Sequence, residues 1–88
     1  MPAPFWIARL LISARTVEKI SSKHGLGPND VTDAVTCQVG LRAVLDKDPD
    51  RGPRFFINVD VAGVPATIVL RAVEHDVDVY VLVSAYRR

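Results

Sequence analysis

The sequence is short of the features that define secreted, membrane and metal-binding proteins. Its 88 residues include a single cysteine, Cys37, which excludes an internal disulfide framework and a cysteine-rich zinc site and favours a reducing compartment, by default the cytoplasm. The most apolar N-terminal stretch, residues 5–12, contains Arg9 and is far shorter than the roughly 18 residues that a membrane span needs. It also lacks the order of a signal peptide, so we expect neither secretion nor a membrane partner.

The chain also has no large excess of positive or negative charge. Eleven Lys and Arg residues face ten Asp and Glu residues, a formal net charge of +1, so a nucleic acid would have to bind at a local basic patch. No glycine-rich phosphate loop or nucleophile elbow occurs, and the two histidines, His24 and His75, lie far apart in the sequence. We therefore expect no metal and no cofactor.

The composition is that of a globular protein. Hydrophobic residues make up 49% of the chain and charged residues 24%, which argues against disorder. A chain of this length holds one hydrophobic core, so residues 1–88 are predicted to form a single domain.

The first half of the chain has helical spacing. Apolar residues three or six apart predict an amphipathic helix over residues 13–24, ended by Gly25 because glycine adopts a left-handed C-cap readily. A second helix is predicted to begin at Gly27-Pro28 and to bury Cys37. An N-terminal strand is expected within residues 5–12.

The second half has the pattern of an antiparallel sheet. After a short strand from Leu41, residues 46–53 are polar and rich in turn formers, which predicts a loop. Three strands are then predicted over residues 54–61, 66–73 and 77–84. In the last strand, strict alternation places Val77, Val79, Val81 and Val83 on one face and Asp78, Tyr80, Leu82 and Ser84 on the other.

These elements predict an α+β fold: an N-terminal strand, two helices, then an antiparallel β-meander with the helices packed on one face. The other face of the sheet is expected to be open. In so small a domain, an open polar face is where a substrate or partner would bind.

Basic and aromatic side chains are predicted on or beside that open face. Metal-independent RNA cleavage needs a base, an acid and cations that stabilise the phosphorane, and His, Tyr and Arg supply these functions. We assign catalytic roles to Arg54, Arg71, His75 and Tyr86, and RNA contacts to Tyr80 and Arg87; Asn58 and Arg88 are neighbours on the same surface. A solvated sheet face without a ligand is the alternative interpretation of this pattern.

Several short motifs, in order, resemble one known family. They are the run Ile12–Ile20, the turn Lys23-His24-Gly25-Leu26, the segment Asn29–Val35, the start of the meander at Gly52-Pro53-Arg54-Phe55, and the closing strand Val81–Ala85. This series resembles the BrnT-like branch of the RelE/ParE toxin superfamily. By position, Arg54 matches that family's arginine at the start of the meander, and Arg71 is close to a basic position that many members have.

The resemblance implies a RelE/ParE-like fold and a cytoplasmic toxin of a type II toxin–antitoxin system. Such a toxin is an endoribonuclease (mRNA interferase) that inhibits translation and is neutralised by a cognate antitoxin protein. The implied partners are that antitoxin and RNA, including ribosome-associated mRNA, in a homodimer or a toxin–antitoxin hetero-oligomer. Two alternatives stay open: a non-catalytic partner-binding module or inactive toxin relative, and a ParE-type topoisomerase poison.

Overall fold

A computed structural model describes residues 3–88 and has two helices on one face of a six-stranded mixed sheet, which confirms the α+β class. The strands are β1 (Ala3–Phe5), β2 (Arg9–Leu11), β3 (Leu41–Asp48), β4 (Gly52–Val61), β5 (Val64–Ala72) and β6 (Val79–Arg87); the helices are α1 (Ala14–His24) and α2 (Pro28–Val35). The order across the sheet is β1-β3-β4-β5-β6-β2.

Local capping determines both ends of α1. The Ser13 hydroxyl accepts a hydrogen bond from the Thr16 backbone N–H at 3.2 Å and so satisfies a free donor of the first turn. At the other end Gly25 has a φ of 64°, and the Leu26 N–H donates back to the Ile20 carbonyl at 3.0 Å. The predicted first helix is confirmed.

The second helix begins as predicted and ends earlier. Pro28 occupies the first turn of α2, and Val31 and Val35 are fully buried. Cys37 lies beyond the helix with a φ of 56° and is exposed, so its prediction as a buried helical residue is wrong. Its N–H donates to the Ile7 carbonyl at 2.7 Å, and this contact with the N-terminal segment turns the chain out of the helix.

The N-terminal segment forms two three-residue strands. The first, β1, pairs antiparallel with β3 at one edge of the sheet, and β2 pairs parallel with β6 at the other edge. Between them Ile7 is fully buried, and the Ala8 N–H donates to the Asp78 carbonyl at 2.8 Å. This short segment therefore ties both edges of the sheet together, which alternation within residues 5–12 did not indicate.

The predicted loop over residues 46–53 is mostly hairpin. Pairing of β3 with β4 continues to Asp48 opposite Gly52, which leaves only residues 49–51 as the turn. The Asp48 carboxylate accepts hydrogen bonds from the N–H groups of Asp50 and Arg51, at 2.8 and 3.2 Å. The turn-forming composition is thus concentrated in three residues, and the flanking polar residues belong to strands.

A β-bulge in β6 changes the faces expected for the last strand. Val69 pairs with Ser84 and Leu70 with Leu82, so Val83 is an extra residue on β6. Leu82 is buried in the core on the side covered by the helices, and Tyr80 packs against that core. The expected alternation through Val83 and Ser84 is therefore wrong at the bulge.

The core lies between the sheet and the helices. Its fully buried members come from both layers and include Ile20, Val31, Val35, Ile57, Ile68 and Leu70. The strand residues that alternate with this core point to the opposite face, which the helices do not cover, and we call it the open face.

Candidate functional site

Two of the predicted site residues are neighbours on the open face. Arg54 on β4 and Arg71 on β5 lie next to the paired residues Phe55 and Leu70, whose side chains pack on the helix side. Because side chains alternate along a strand, both arginines point away from the helices. Together with Arg51 and Val83 they line a cleft of about 430 Å³, which we call the arginine cleft.

The β-bulge builds one wall of the arginine cleft. Val83 is the extra residue of β6, and its carbonyl accepts a hydrogen bond from the Lys19 ammonium group at 2.9 Å. Lys19 belongs to α1, so this bond connects the helix layer with the wall of the cleft.

Arg54 is held by two carboxylates and an aromatic ring. Its Nη2 lies 3.3 Å from Asp46 Oδ2 and 3.7 Å from Asp48 Oδ2, and its guanidinium carbon lies 5.4 Å from the Phe56 ring centroid. The side chain is 18% exposed, and its buried Nε has no hydrogen-bond partner among the described residues. These contacts fix the orientation of the guanidinium group and leave a donor unused.

Arg71 is less constrained. It is exposed, and within the part of the chain that the structure describes it has no carboxylate partner within 4.0 Å. The cleft therefore combines a held arginine with an exposed one, and Arg51 in the turn supplies a third cation.

The neighbours of Asp48 stabilise the charged form of its carboxyl group. Hydrogen bonds from the backbone N–H groups of Asp50 and Arg51 lower the pKa of its carboxyl group below 3.8, and the charges of Arg54 and Arg51 act in the same direction. The carboxylate is therefore ionised at neutral pH.

His75 and Tyr86 lie away from the arginine cleft. The His75 side chain, in the loop after β5, is 89% exposed, and its Nε2 lies 3.8 Å from Glu74 Oε1. Tyr86 pairs with Thr67, four residues along β5 from Arg71, a separation of about 13 Å at the usual strand rise, and its ring centroid lies 6.2 Å from that of His24 at the end of α1. The structure brings Arg54 and Arg71 together and leaves the two proposed proton-transfer residues apart from them.

Tyr80 and Arg87 are not on the open face, which corrects their predicted placement. Tyr80 packs on the helix side, its ring centroid 4.7 Å from that of Phe5 and 5.9 Å from that of Phe55. Arg87 reaches the end of α1, where its Nη2 would lie 3.1 Å from a Cβ built on Gly25. Tyr80 shares a face with Leu82, as alternation predicted, but that face is the one that packs on the core, and the bulge at Val83 brings Arg87 to the same side.

The remaining neighbours have structural contacts. The Thr67 hydroxyl donates to Asn58 Oδ1 at 2.8 Å across the β4–β5 pair, and the Arg88 backbone N–H donates to the Pro65 carbonyl at 3.0 Å. The sequence patterns did not indicate Arg51, Asp46 or Asp48 as site residues. Folding residues 46–53 as a hairpin would have paired Asp46 with Arg54 and placed the other two beside them.

Within residues 3–88, no group of three or more His, Cys, Asp or Glu side chains is arranged to hold a metal ion. None of the helices in that range is long and apolar enough to cross a membrane. Fold and site together define an α+β protein with an arginine-lined cleft on the uncovered face of its sheet. Comparisons with protein-family models, curated proteins and solved structures found no significant match to this chain.

Proposed function

We propose that the protein is a type II toxin of the RelE/ParE kind, a metal-independent endoribonuclease that binds RNA phosphates in the arginine cleft and is neutralised by a cognate antitoxin. The observation that carries the proposal is the convergence of Arg51, Arg54 and Arg71 on one cleft of the open face. The family resemblance of the sequence supports the toxin assignment.

Arginine suits this chemistry because its planar guanidinium donates two parallel hydrogen bonds to phosphate oxygens. Arg71 is exposed and without a carboxylate partner among the described residues, so it can bind a phosphate without first breaking an ion pair. Arg54 is already oriented by its carboxylates and lines the same cleft, with 18% of its side chain exposed. Cations held in this way stabilise the charge that builds on a phosphorane.

Proton transfer requires groups beside the scissile bond. The Asp46 carboxylate, whose side chain is 52% exposed and which contacts Arg54, can accept a proton from a 2′-hydroxyl. His75 and Tyr86 lie apart from the arginine cleft, so in the proposed reaction a water molecule protonates the leaving 5′-oxygen. Tyr86, 36% exposed, offers a ring on which an unpaired base can stack.

The test is cleavage of an end-labelled single-stranded RNA in EDTA by the purified protein. We expect R71A to lower RNA affinity and cleavage by about tenfold, the effect of one lost charge-assisted contact. The matched control is R15A, which removes an exposed arginine from α1. Equal activity of R71A and the wild type would contradict the assignment of the cleft.

The toxin role is tested separately in a bacterial host. Induced expression is expected to arrest growth and deplete mRNA, and co-expression with the neighbouring gene product is expected to restore growth. Growth arrest accompanied by DNA damage and intact RNA would instead favour a topoisomerase poison.

A second candidate function is a non-catalytic module that binds RNA or a partner protein through the same cleft. The separation of Tyr86 from Arg71, about 13 Å along β5, favours it, because a pre-arranged acid–base pair beside the arginines would be expected in an active nuclease. Tight RNA binding without cleavage would select this alternative.

A further inference from the structure

We propose that Asp48 is a positioning residue that joins Arg51 and Arg54 into one phosphate-binding unit. The inference deepens the proposed function, since it concerns how the same cleft recognises a phosphate group. It rests on the two oxygens of one carboxylate, which contact different parts of the cleft.

One oxygen organises the turn. Asp48 Oδ1 accepts hydrogen bonds from the N–H groups of Asp50 and Arg51, at 2.8 and 3.2 Å. The second of these donors belongs to Arg51, whose side chain lines the cleft. Because the turn has only three residues between β3 and β4, this bond determines where the Arg51 side chain leaves the backbone.

The other oxygen faces Arg54. Asp48 Oδ2 lies 3.7 Å from Arg54 Nη2, and the Asp48 side chain is 25% exposed. The same carboxylate therefore contacts the turn that carries one cleft arginine and the guanidinium of another. Removing it would release the turn that carries Arg51 and would leave Arg54 with Asp46 as its carboxylate partner.

Asp46 provides an internal comparison. It also contacts Arg54, at 3.3 Å, and it lies on the same strand. However, no backbone N–H of the turn donates to Asp46 among the described contacts. The two carboxylates therefore have the same charge and both contact Arg54. They differ because only Asp48 accepts hydrogen bonds from the backbone of the turn among the described contacts.

A negative charge next to a phosphate site also weakens anion binding. Substitution of Asp48 therefore has two opposite effects: loss of charge favours the anion, and loss of the turn contact disorders Arg51. Asn removes the charge and keeps a side-chain oxygen that accepts hydrogen bonds, whereas Ala removes both. The ratio of the anion affinities of these two variants therefore measures the effect of positioning, separately from the effect of charge.

The experiment measures the affinity of the purified full chain for inorganic triphosphate, by calorimetry, in D48N, D48A, D46N and D46A. We expect D48N to bind more tightly than the wild type and D48A to bind about fivefold or more weakly than D48N, as loss of the hydrogen bonds to the turn implies. The affinities of D46N and D46A are expected to differ less than those of D48N and D48A, because Asp46 contacts Arg54 but does not also hold the turn that carries Arg51. Equal affinities of D48N and D48A would overturn the positioning role.

A second measurement tests the contact between Asp48 and the turn without any bound anion. In NMR spectra the backbone amides of Asp50 and Arg51 are expected to keep their protection from hydrogen exchange in D48N and to lose it in D48A, with the rest of the sheet unchanged. Retained protection in D48A would overturn the proposal. Failure of the wild type to bind or cleave RNA, while these triphosphate and exchange results hold, would overturn the ribonuclease proposal and leave Asp48 as the positioning residue of an anion site.

Discussion

The role of an individual polar residue in this protein depends on which face of the sheet carries it. Arg54 and Arg71 share the open face, whereas Tyr80 contacts Phe5 and Phe55 on the side of the helices. Burial raises the pKa of Tyr80 above 10.0, and the nearby charge of Asp78 acts in the same direction. A tyrosine placed in this way contributes packing, and its hydroxyl is disfavoured as an anion.

The first prediction concerns that tyrosine. Above pH 10 the unfolded chain loses the Tyr80 proton while the folded protein retains it, so the free energy of unfolding should fall as pH rises from about 10 towards the folded pKa. Y80F should remove this part of the alkaline loss. The measurement is the free energy of unfolding in urea at a series of pH values between about 8 and 11, where the pH dependence should differ by the contribution of one titrating group. Y86F, at the exposed end of β6, is the control, and identical alkaline profiles of Y80F and the wild type would contradict the prediction.

Among the elements, α1 and β6 are joined at the β-bulge. Lys19 donates to the Val83 carbonyl at 2.9 Å, at a point where the ladder between β5 and β6 shifts register. Bulges leave backbone groups without a strand partner, and a side-chain donor from the helix satisfies one of them here. Since Val83 also lines the arginine cleft, this bond links the stability of the fold to the shape of the site.

The second prediction tests that link. K19M keeps the apolar stem of the side chain and removes its ammonium group, so the free energy of unfolding should fall by about 1–2 kcal/mol, the usual effect of losing a charged hydrogen bond. K23M, an exposed change in the last turn of the same helix, should alter it by less than about 0.5 kcal/mol. Chemical unfolding of both variants provides the comparison. Equal stabilities would show that the bond to Val83 contributes nothing.

At the scale of the whole molecule, a net charge of +1 conceals an uneven distribution. Three arginines line one cleft, and the carboxylates of Asp46 and Asp48 offset part of their charge at Arg54. Like charges on neighbouring strands are destabilising, so this clustering costs stability unless nearby anions or a bound anion balance it.

The third prediction follows from this clustering. If all three arginines contact phosphates of a single strand, the logarithm of the RNA association constant should fall with the logarithm of salt concentration with a slope of about −2. R71A should make that slope shallower by about 0.7, and R15A should leave it unchanged. Fluorescence anisotropy of a labelled oligonucleotide across a salt series measures both. A slope that R71A does not change would place the RNA elsewhere on the surface.

Short-range patterns in the sequence were enough to predict the two helices, the main strands and the placement of Arg54 and Arg71 on the open face. Capping at Ser13 and Gly25 and alternation through Phe55 and Ile57 depend on neighbouring residues, so the sequence predicted α1, the core face of β4 and the outward position of Arg54. Arg71 was predicted on or beside the open face as one of the two polar residues of an otherwise apolar strand, and the structure places it on that face.

Only the tertiary structure decided which distant segments meet. The division of residues 5–12 between both edges of the sheet, the extra residue at Val83 and the hairpin that brings Arg51 and Asp48 to the cleft all depend on strand pairing. Alternation predicted that Tyr80 and Leu82 share a face but not that the helices cover it, and the bulge at Val83 reverses the face of Arg87, so neither Tyr80 nor Arg87 lies on the open face. The chain alone indicated that arginines would line the open face, and long-range pairing determined which of them form the cleft.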